Sequence, residues 1–394
     1  MSRPRLVVVV GTRPEAIKMA PVVLAARRSG LVDPFVLATG QHEALVDQAL
    51  APFDVEVHRR IDLGARRSPS QADLFARLLP RLDDELHAAG PQAVLVQGDT
   101  ASALAGAFAA VLRRVPVVHL EAGLRSFDVD NPFPEETYRR LVADLASLHL
   151  PPTPQATANL LAEGVAPTSI LQIGNTVVDA ALHAAGRAPA ADKAGTAGAD
   201  GRRLVLVTVH RRENWGAPLS SVLEALQRLV ARFDDIEVVV PAHPNPAVRG
   251  PVEAAAAGMP RLRVVEPMDH PDLIAHLRDA ALVLTDSGGI QEEAPTFGTP
   301  VLILRSTTER PEAVEAGCAE LVGTDADQVT ERASVLLADE RERQQMAMVA
   351  NPFGDGRSGE RAVQAVAWLL GLAPRPDEWS ASEGDGIRRT LVGP

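Results

Sequence analysis

This chain contains a repeated pattern of short apolar runs. Each run is followed directly by glycine or polar residues and then by a segment with helical periodicity. The first run, at residues 6–10, is rich in β-branched side chains, which is typical of a strand buried on both faces of a parallel sheet. Gly11 and the helical spacing that starts at Pro14 follow it directly. This alternation predicts an α/β fold built on doubly wound parallel sheets.

The alternation divides into two series, because a stretch rich in alanine and glycine interrupts it at residues 184–203. With 394 residues the chain is too long for one ordinary core. We therefore expect two Rossmann-like domains facing each other across a cleft, at residues 1–180 and 204–350. Helix 359–370 is expected to complete the first domain, and the Pro-, Ser- and Gly-rich residues 374–394 predict a disordered tail.

Charge and hydropathy exclude several classes of partner. The net charge of −12 argues against a general nucleic-acid surface and against an anionic membrane. No apolar run approaches the ~20 residues of a membrane span, and the first residues lack the long apolar run of a signal peptide. The single cysteine, Cys318, cannot form an internal disulfide. We expect a cytoplasmic protein that meets any anionic ligand in a local pocket.

The strongest anion-binding pattern lies at residues 287–289, between a predicted buried strand at 281–285 and a short helix. A Ser-Gly-Gly turn there exposes backbone N–H groups and the positive end of a helix, although the same residues could be a turn with solvated charges. Glu292 and Glu293 lie just inside the helix, where they would repel a phosphate. At least one is therefore expected to reach past it to ribose hydroxyls, and Arg310 offers bidentate charge nearby.

Other chemically active side chains also follow predicted strands: Asp99, Glu121, His210, His243 and Arg13. One acid at a strand end could be a helix cap, but two beside an anion site suggest acid and base chemistry. The histidines are either structural or placed as acid, base or phosphate donors. The arginine is either a surface residue or an anion ligand at the edge where open α/β sheets bind ligands.

The ordered set of motifs resembles the non-hydrolysing UDP-N-acetylglucosamine 2-epimerases over roughly residues 6–370. An ordered set is far more specific than any single short motif. The segments are GTRPEAIKMAPV at 11–22, QGDT at 97–100, HLEAGLRS at 119–126, PFPEE at 132–136, IGNTVVDA at 173–180, HRREN at 210–214, HPNP at 243–246, TDSGGIQEEAP at 285–295 and TTERPEAVEAG at 307–317.

The resemblance implies a two-domain fold similar to the GT-B glycosyltransferases, a homodimer, and no cofactor or metal in the chemistry. It implies interconversion of UDP-GlcNAc and UDP-ManNAc by elimination of UDP to a 2-acetamidoglucal and readdition. The implied catalytic residues are Asp99, Glu121, Glu135 and His210. The implied substrate-binding residues are Arg13, Lys18, Arg139, His243, Ser287, Gly288, Gly289, Glu293 and Arg310, with Glu293 on the ribose.

The sequence departs from the family pattern in three places. His270 and Leu273 stand where members usually carry aromatics that receive uracil, which predicts weaker or different stacking on the base. Tyr138 precedes Arg139 where the family has an Asn-Arg pair, in a region of sugar contacts. Residues 41–48 differ from those of members that bind a second, activating UDP-GlcNAc.

Three other functions fit parts of the pattern. A GT-B glycosyltransferase would bind a UDP-sugar at the same site. It needs a surface that binds the acceptor, but it does not need groups that transfer protons on both faces of a carbon. A hydrolysing 2-epimerase would release ManNAc and UDP, and a nucleotide-sugar sensor would have no use for His210 and the acids. The cluster of Asp99, Glu121 and Glu135 favours the non-hydrolysing epimerase.

Overall fold

The structure is a computed structural model that describes residues 3–64, 70–187 and 201–380. The chain forms two units, one containing the residues up to 180 together with those from 353 onward, the other containing residues 181–352. Most of the interruption predicted at 184–203 lies outside the described residues.

Strands and helices alternate along both units. The strands are β1 (Arg5–Val10), β2 (Asp33–Ala38), β3 (Arg59–Arg60), β4 (Ala93–Gln97), β5 (Val117–Leu120), β6 (Leu148–Leu150), β7 (Arg203–Thr208), β8 (Ile236–Pro241), β9 (Leu262–Val265), β10 (Ala280–Thr285), β11 (Val301–Ile303) and β12 (Ala319–Leu321). The helices are α1 (Arg13–Ser29), α2 (Glu43–Leu50), α3 (Gln71–Ala89), α4 (Ala101–Leu112), α5 (Glu135–Leu145), α6 (Pro154–Ala162), α7 (Thr176–Arg187), α8 (Ala217–Arg232), α9 (Pro246–Ala256), α10 (His270–Asp279), α11 (Gly288–Glu293), α12 (Pro311–Ala316), α13 (Ala326–Ala338), α14 (Glu340–Ala347) and α15 (Ser358–Leu369).

The first unit is built on a six-stranded sheet with the order β3-β2-β1-β4-β5-β6. All of its pairings are parallel, and β1 runs beside β2 in register from Arg5 with Asp33 to Val10 with Ala38. The second unit repeats this order in its own six parallel strands, β9-β8-β7-β10-β11-β12. This is the strand order of a Rossmann-like doubly wound fold. The predicted fold class is confirmed for each unit.

The central strand β1 shows why its sequence is apolar without interruption. Leu6 and Val8 join one core cluster, together with residues of α1 and α15. Val7 and Val9 point to the other face and join a second cluster with residues of α3 and α4. Because alternate side chains enter two different cores, no position from Leu6 to Val10 can be polar.

The C-terminal segment differs from its prediction. The backbone N–H of Trp379 donates to Gln172 O over 2.9 Å, and Gln172 Nε2 donates to Trp379 O over 2.8 Å. The Trp379 side chain is buried, and Arg375 donates to Ile170 O. The predicted disordered tail is therefore wrong for residues 374–380, because one buried aromatic residue anchors a segment whose composition is otherwise polar. Residues 381–394 lie outside the described ranges.

Candidate active site

The corner between β1 and α1 is fixed by close backbone contacts. A Cβ on Gly11 would lie 2.0 Å from Ser102 Oγ, so only glycine fits there. The carboxylate of Glu15 accepts the N–H groups of Gly11 and Thr12 over 2.9 and 2.6 Å. These bonds cap α1 and place Arg13 as its first residue, at the carboxyl edge of the sheet. Its role as an anion ligand stays a prediction.

Asp99 lies just beyond β4 at the same edge and is held by an arginine. Arg139 Nε and Nη2 both donate to Asp99 Oδ2, over 3.0 and 2.5 Å. Burial raises the pKa of Asp99, the charge of Arg139 lowers it, and the neighbouring Glu121 raises it. Because the net shift is upward, this carboxyl keeps its proton to higher pH than an ordinary aspartate. Arg139, implied as a substrate ligand, thus contacts a proposed catalytic acid directly.

Glu121 follows β5 in a backbone conformation that is rare for a residue with a side chain. Its φ of 61° lies in the left-handed region, which costs about 1–3 kcal/mol. Glu121 Oε1 accepts hydrogen bonds from Lys18 and Asn175, and Oε2 accepts one from Gln97. Three side chains therefore hold this carboxylate in place, and Lys18, implied as a substrate ligand, is the cation that pairs with it.

The two acids of the PFPEE motif separate into different environments. Glu136 is fully buried and accepts hydrogen bonds from Ser126 N and from Arg140 Nε, both over 2.9 Å, so its carboxylate serves the structure. Glu135 is half-buried at the first turn of α5. It lies one helical turn before Arg139, so the two share a helix face. Of the pair, Glu135 is the one whose side chain is partly exposed, and its catalytic role stays a prediction.

In the second unit, His210 follows β7 and is oriented by Asp286, which follows β10. Asp286 is fully buried and accepts the backbone N–H of His210 over 3.0 and 3.1 Å, that of Arg211 over 2.9 Å, and Nδ2 of Asn214 over 2.9 Å. His210 Nδ1 lies 3.2 Å from Asp286 Oδ1. Burial lowers the pKa of His210, and the charge of Asp286 opposes that shift. Nδ1 of the ring thus faces this carboxylate, and Nε2 lies on the other side of the ring.

His243 lies beside His210. Their ring centroids are 6.3 Å apart, with the ring planes 18° from parallel. The backbone N–H of Asn245 donates to His243 Nδ1 over 3.2 Å. Because Nδ1 accepts, the ring hydrogen resides on Nε2, which makes that atom a donor suited to an anionic oxygen.

The predicted anion-binding site at residues 287–289, at the start of α11, is flanked by two guanidinium groups. A Cβ on Gly288 would lie 3.6 Å from Arg310 Cζ and 3.8 Å from Arg211 Nη2. Arg211 Nε is buried and has no hydrogen-bond partner among the described residues. A buried donor of this kind is costly unless a ligand satisfies it. Arg310 and Gly288 were predicted for this anion-binding site, whereas Arg211 was not.

The two glutamates of α11 have different partners. Glu292 Oε1 accepts from Arg310 Nε over 2.5 Å, and only 1% of the Glu292 side chain is exposed. Glu293 Oε1 instead contacts His270 Nε2 over 3.0 Å. The carboxylate that neutralises the arginine is therefore Glu292, and Glu293 belongs to a separate contact.

The structure thus gathers the predicted residues into two sets, one in each unit. The first contains Asp99, Glu121, Lys18 and Arg139, with Glu135 on the helix of Arg139. The second contains His210, His243, Arg310 and the turn at Ser287, Gly288 and Gly289, whereas Glu293 on α11 contacts His270. Sequence reasoning missed Asp286, Arg211, Gln97 and Asn175. Asp286 and Arg211 stand inside quoted motifs, directly beside residues that were singled out.

No cluster of three or more His, Cys, Asp or Glu side chains in 3–64, 70–187 and 201–380 has the arrangement of a metal site. No helix in those ranges is both long and apolar enough to cross a bilayer.

Comparison with known proteins agrees with the motifs. The sequence profile of the UDP-N-acetylglucosamine 2-epimerase family matches residues 24–367. A Bacillus subtilis UDP-N-acetylglucosamine 2-epimerase is 39% identical over 96% of this chain and 100% of its own length.

Two solved structures are similar throughout. S. aureus MnaA, solved with UDP, has a TM-score of 0.86 at 37% identity, over 96% of this chain and 100% of its own. The UDP-GlcNAc 2-epimerase of Neisseria meningitidis, solved with UDP-GlcNAc, has a TM-score of 0.85 at 34% identity, over 93% of this chain and 100% of its own. The resemblance stated from the motifs is confirmed, and the chain belongs to the UDP-N-acetylglucosamine 2-epimerase family.

Proposed function

We propose that this protein is an isomerase that interconverts UDP-N-acetylglucosamine and UDP-N-acetylmannosamine by inverting C2 without hydrolysis. The observation that carries the proposal is the pair of carboxylates at the ends of two neighbouring strands. Asp99 follows β4, Glu121 follows β5, and each is held by its own cation. Inversion at a carbon needs one group that removes a proton and another that returns one, and two separately held acids meet that need.

The C2–H bond of a sugar is too weakly acidic for a carboxylate to break in water near neutral pH. We propose that UDP leaves C1 first and takes the electrons of the C1–O bond. The cationic character at C1 then acidifies the C2 proton, which passes to a carboxylate as the C1=C2 double bond of a 2-acetamidoglucal forms. Readdition of UDP at C1, with a proton delivered to the opposite face of C2, gives the epimer.

The second unit supplies the groups that stabilise the leaving diphosphate. Arg310 and Arg211 flank Gly288, and His243 presents an Nε2 donor. Negative charge builds up on the diphosphate as the C1–O bond breaks, so donors fixed around it lower the barrier. Each such donor is typically worth about 3–4 kcal/mol of activation free energy. His210, oriented by Asp286, is the proposed proton-transfer group of this unit.

Product analysis tests the proposal against its alternatives. The purified protein is incubated with UDP-GlcNAc alone, and the products are separated by anion-exchange chromatography. We expect UDP-ManNAc to appear until the two nucleotide sugars reach a fixed ratio. The same ratio should be reached when the incubation starts from UDP-ManNAc. Release of UDP with free ManNAc would identify a hydrolysing enzyme, and unchanged substrate would favour a transferase that lacks its acceptor or a sensor.

We also propose that the protein is a cytoplasmic homodimer. Helices α3, α4 and α5 border an apolar groove of about 630 Å³ on the first unit. Near it, Phe108, Leu112 and Leu141 expose 39%, 61% and 45% of their surface. Apolar side chains clustered at the surface of one helix pair are typical of an interface. Sedimentation analysis of a Phe108→Asp variant should show a monomer where the wild-type protein sediments as a dimer.

A further inference from the structure

Glu293 and His270 form a buried contact in the second unit that the proposed mechanism does not use. His270 Nε2 lies 3.0 Å from Glu293 Oε1, and the two side chains are only 4% and 7% exposed. A carboxylate can only accept, so the hydrogen of this bond belongs to the histidine. The ring therefore carries a hydrogen on Nε2 and holds one oxygen of the carboxylate in a fixed position.

Comparison of the two glutamates of α11 indicates which one is available to a ligand. Glu292 is the partner of Arg310 and is almost completely buried. Glu293 makes no ion pair with an arginine or lysine within the described ranges, and no residue there donates to its Oε2. A carboxylate has about four acceptor sites, so the oxygen opposite the histidine can accept from a hydroxyl.

The backbone of His270 is held at the start of a capped helix. It is the first residue of α10, and the side chain of Asp269 caps this helix by accepting the N–H of Asp272 over 2.9 Å. Pro271 occupies the second position, where its ring favours the helical start. A phenylalanine at 270 could fill the same volume but would leave Glu293 buried without this donor.

We propose that His270 is a positioning residue for ribose recognition, which acts by holding Glu293 so that its second oxygen accepts a hydroxyl of the nucleotide ribose. The inference rests on the proposed function in one respect, that the ligand is a uridine ribonucleotide. It assigns a role to a residue that stands where family members usually carry an aromatic side chain for uracil. Specificity for ribose over deoxyribose would thus depend on a histidine that does not touch the sugar.

Calorimetric titration of UDP, 2′-deoxy-UDP and 3′-deoxy-UDP into four proteins tests this. The proteins are the wild type, His270→Phe, His270→Gln and Glu293→Gln. We expect the wild type to bind UDP about ten-fold to a hundred-fold more tightly than at least one deoxy analogue. Glu293→Gln and His270→Phe should lose most of that preference, whereas His270→Gln, whose amide can donate from a similar position, should retain it.

Two controls separate positioning from a merely structural role. His276→Phe introduces the same change on the same helix, at a half-exposed ring that contacts Asp272 O, and should leave the preference unchanged. A His270→Phe protein with a lowered melting temperature but the wild-type ratio of dissociation constants would overturn the proposal. Equal binding of all three nucleotides by the wild type would also overturn it, while leaving UDP binding intact. Absence of UDP binding by the wild type would instead contradict the proposed function.

A measurement on the unmodified protein does not depend on any variant folding. Nitrogen-15 NMR of histidine-labelled protein reports which ring nitrogen carries hydrogen. We expect the His270 signal, assigned by its loss in His270→Gln, to show hydrogen on Nε2 and to shift on addition of UDP. A ring with hydrogen on Nδ1 alone could not donate to Glu293 and would overturn the proposal.

Discussion

His210 Nδ1 lies 3.2 Å from Oδ1 of Asp286, a carboxylate with no exposed surface. The same carboxylate accepts the backbone N–H groups of His210 and Arg211, so it fixes the backbone that carries the ring. The charge of Asp286 at this distance favours the protonated form of the ring, against the effect of burial.

Replacement of this acid should impair turnover more than binding. Asp286→Asn keeps the size of the side chain but weakens its acceptor next to His210 Nδ1. We expect kcat to fall by about 10²–10⁴-fold, with the dissociation constant for UDP changed little. Steady-state kinetics and calorimetry measure the two quantities. Glu237→Gln, a buried carboxylate change on β8 outside the site, is the control for lost stability. Near-normal kcat in Asp286→Asn would remove this pairing from the mechanism.

The pH dependence of the reaction should show the effect of the Arg139 charge on the pKa of Asp99. Burial raises the pKa of Asp99 and the charge of Arg139 lowers it, so Arg139→Gln should raise that pKa further. If ionised Asp99 takes the proton, the acidic limb of kcat/KM will move to higher pH in this variant. Arg140→Gln serves as the control, because Arg140 bonds Glu136 on the same helix. An acidic limb that stays in place in Arg139→Gln, or moves equally in both variants, would contradict the assignment of Asp99.

Arg310 has both a structural and a proposed ligand role, which a double variant can separate. We expect Arg310→Ala to weaken UDP binding by about ten-fold to a hundred-fold, and Arg310→Lys to restore only part of the loss. The single variant should also lower the melting temperature, because Glu292 loses its ion pair. Adding Glu292→Gln should recover stability without recovering affinity.

The control for charge in this unit is Arg332→Ala, which removes the partner of Glu320 and should leave UDP binding unchanged. Calorimetry and thermal melts give the two readouts. Unchanged UDP affinity in Arg310→Ala, with only the melting temperature lowered, would assign Arg310 to structure alone.

Stability should depend on pH through Asp179 on α7. Its carboxylate accepts the N–H groups of Ser358 and Gly359 at the start of α15. Burial nevertheless raises its pKa from 3.8 to about 7. In the folded chain the carboxyl therefore keeps a proton that the unfolded chain loses. Its contribution is complete below the unfolded pKa and is lost as the pH rises through about 7.

Urea unfolding of wild type and Asp179→Asn across this range tests the shift. The stability of the wild type relative to Asp179→Asn should fall by up to about 4 kcal/mol between pH values of about 4 and 8. Asp355→Asn provides a control of opposite sign. Burial opposes ionisation of Asp355, but the hydrogen bonds and charge of Arg361 lower its pKa, so its contribution is lost as the pH falls. A relative stability of Asp179→Asn that does not vary with pH would contradict the raised pKa and show that the N–H donors cancel the effect of burial.

The strand-end residues could be predicted because they depend on local pattern. Asp99, Glu121 and His210 each follow an apolar run, and parallel strands bring such positions to one edge of a sheet. The parallel, doubly wound arrangement of both sheets could be predicted for the same reason.

The partners of those residues could not be predicted in the same way. Lys18 is 103 positions from Glu121, and Arg139 is 40 from Asp99. The pairing of each cation with its acid depends on how the helices pack on the sheet. Charged residues are too frequent in the chain for their spacing alone to predict these pairs. The burial of Trp379 was missed because the prediction rested on the polar composition of the whole segment. Such a composition does not reveal that one aromatic side chain is buried.

The proposed mechanism requires that the C2 proton is exchanged while UDP remains available for readdition. Proton NMR of UDP-GlcNAc incubated with the protein in deuterated water, with a chelator present, follows the H2 signals of both nucleotide sugars. We expect UDP-ManNAc to form with deuterium at C2 and the UDP-GlcNAc pool to lose its H2 signal as equilibrium is approached. UDP-ManNAc that retains its original hydrogen at C2, or activity that the chelator abolishes and one specific cation restores, would contradict the proposed mechanism.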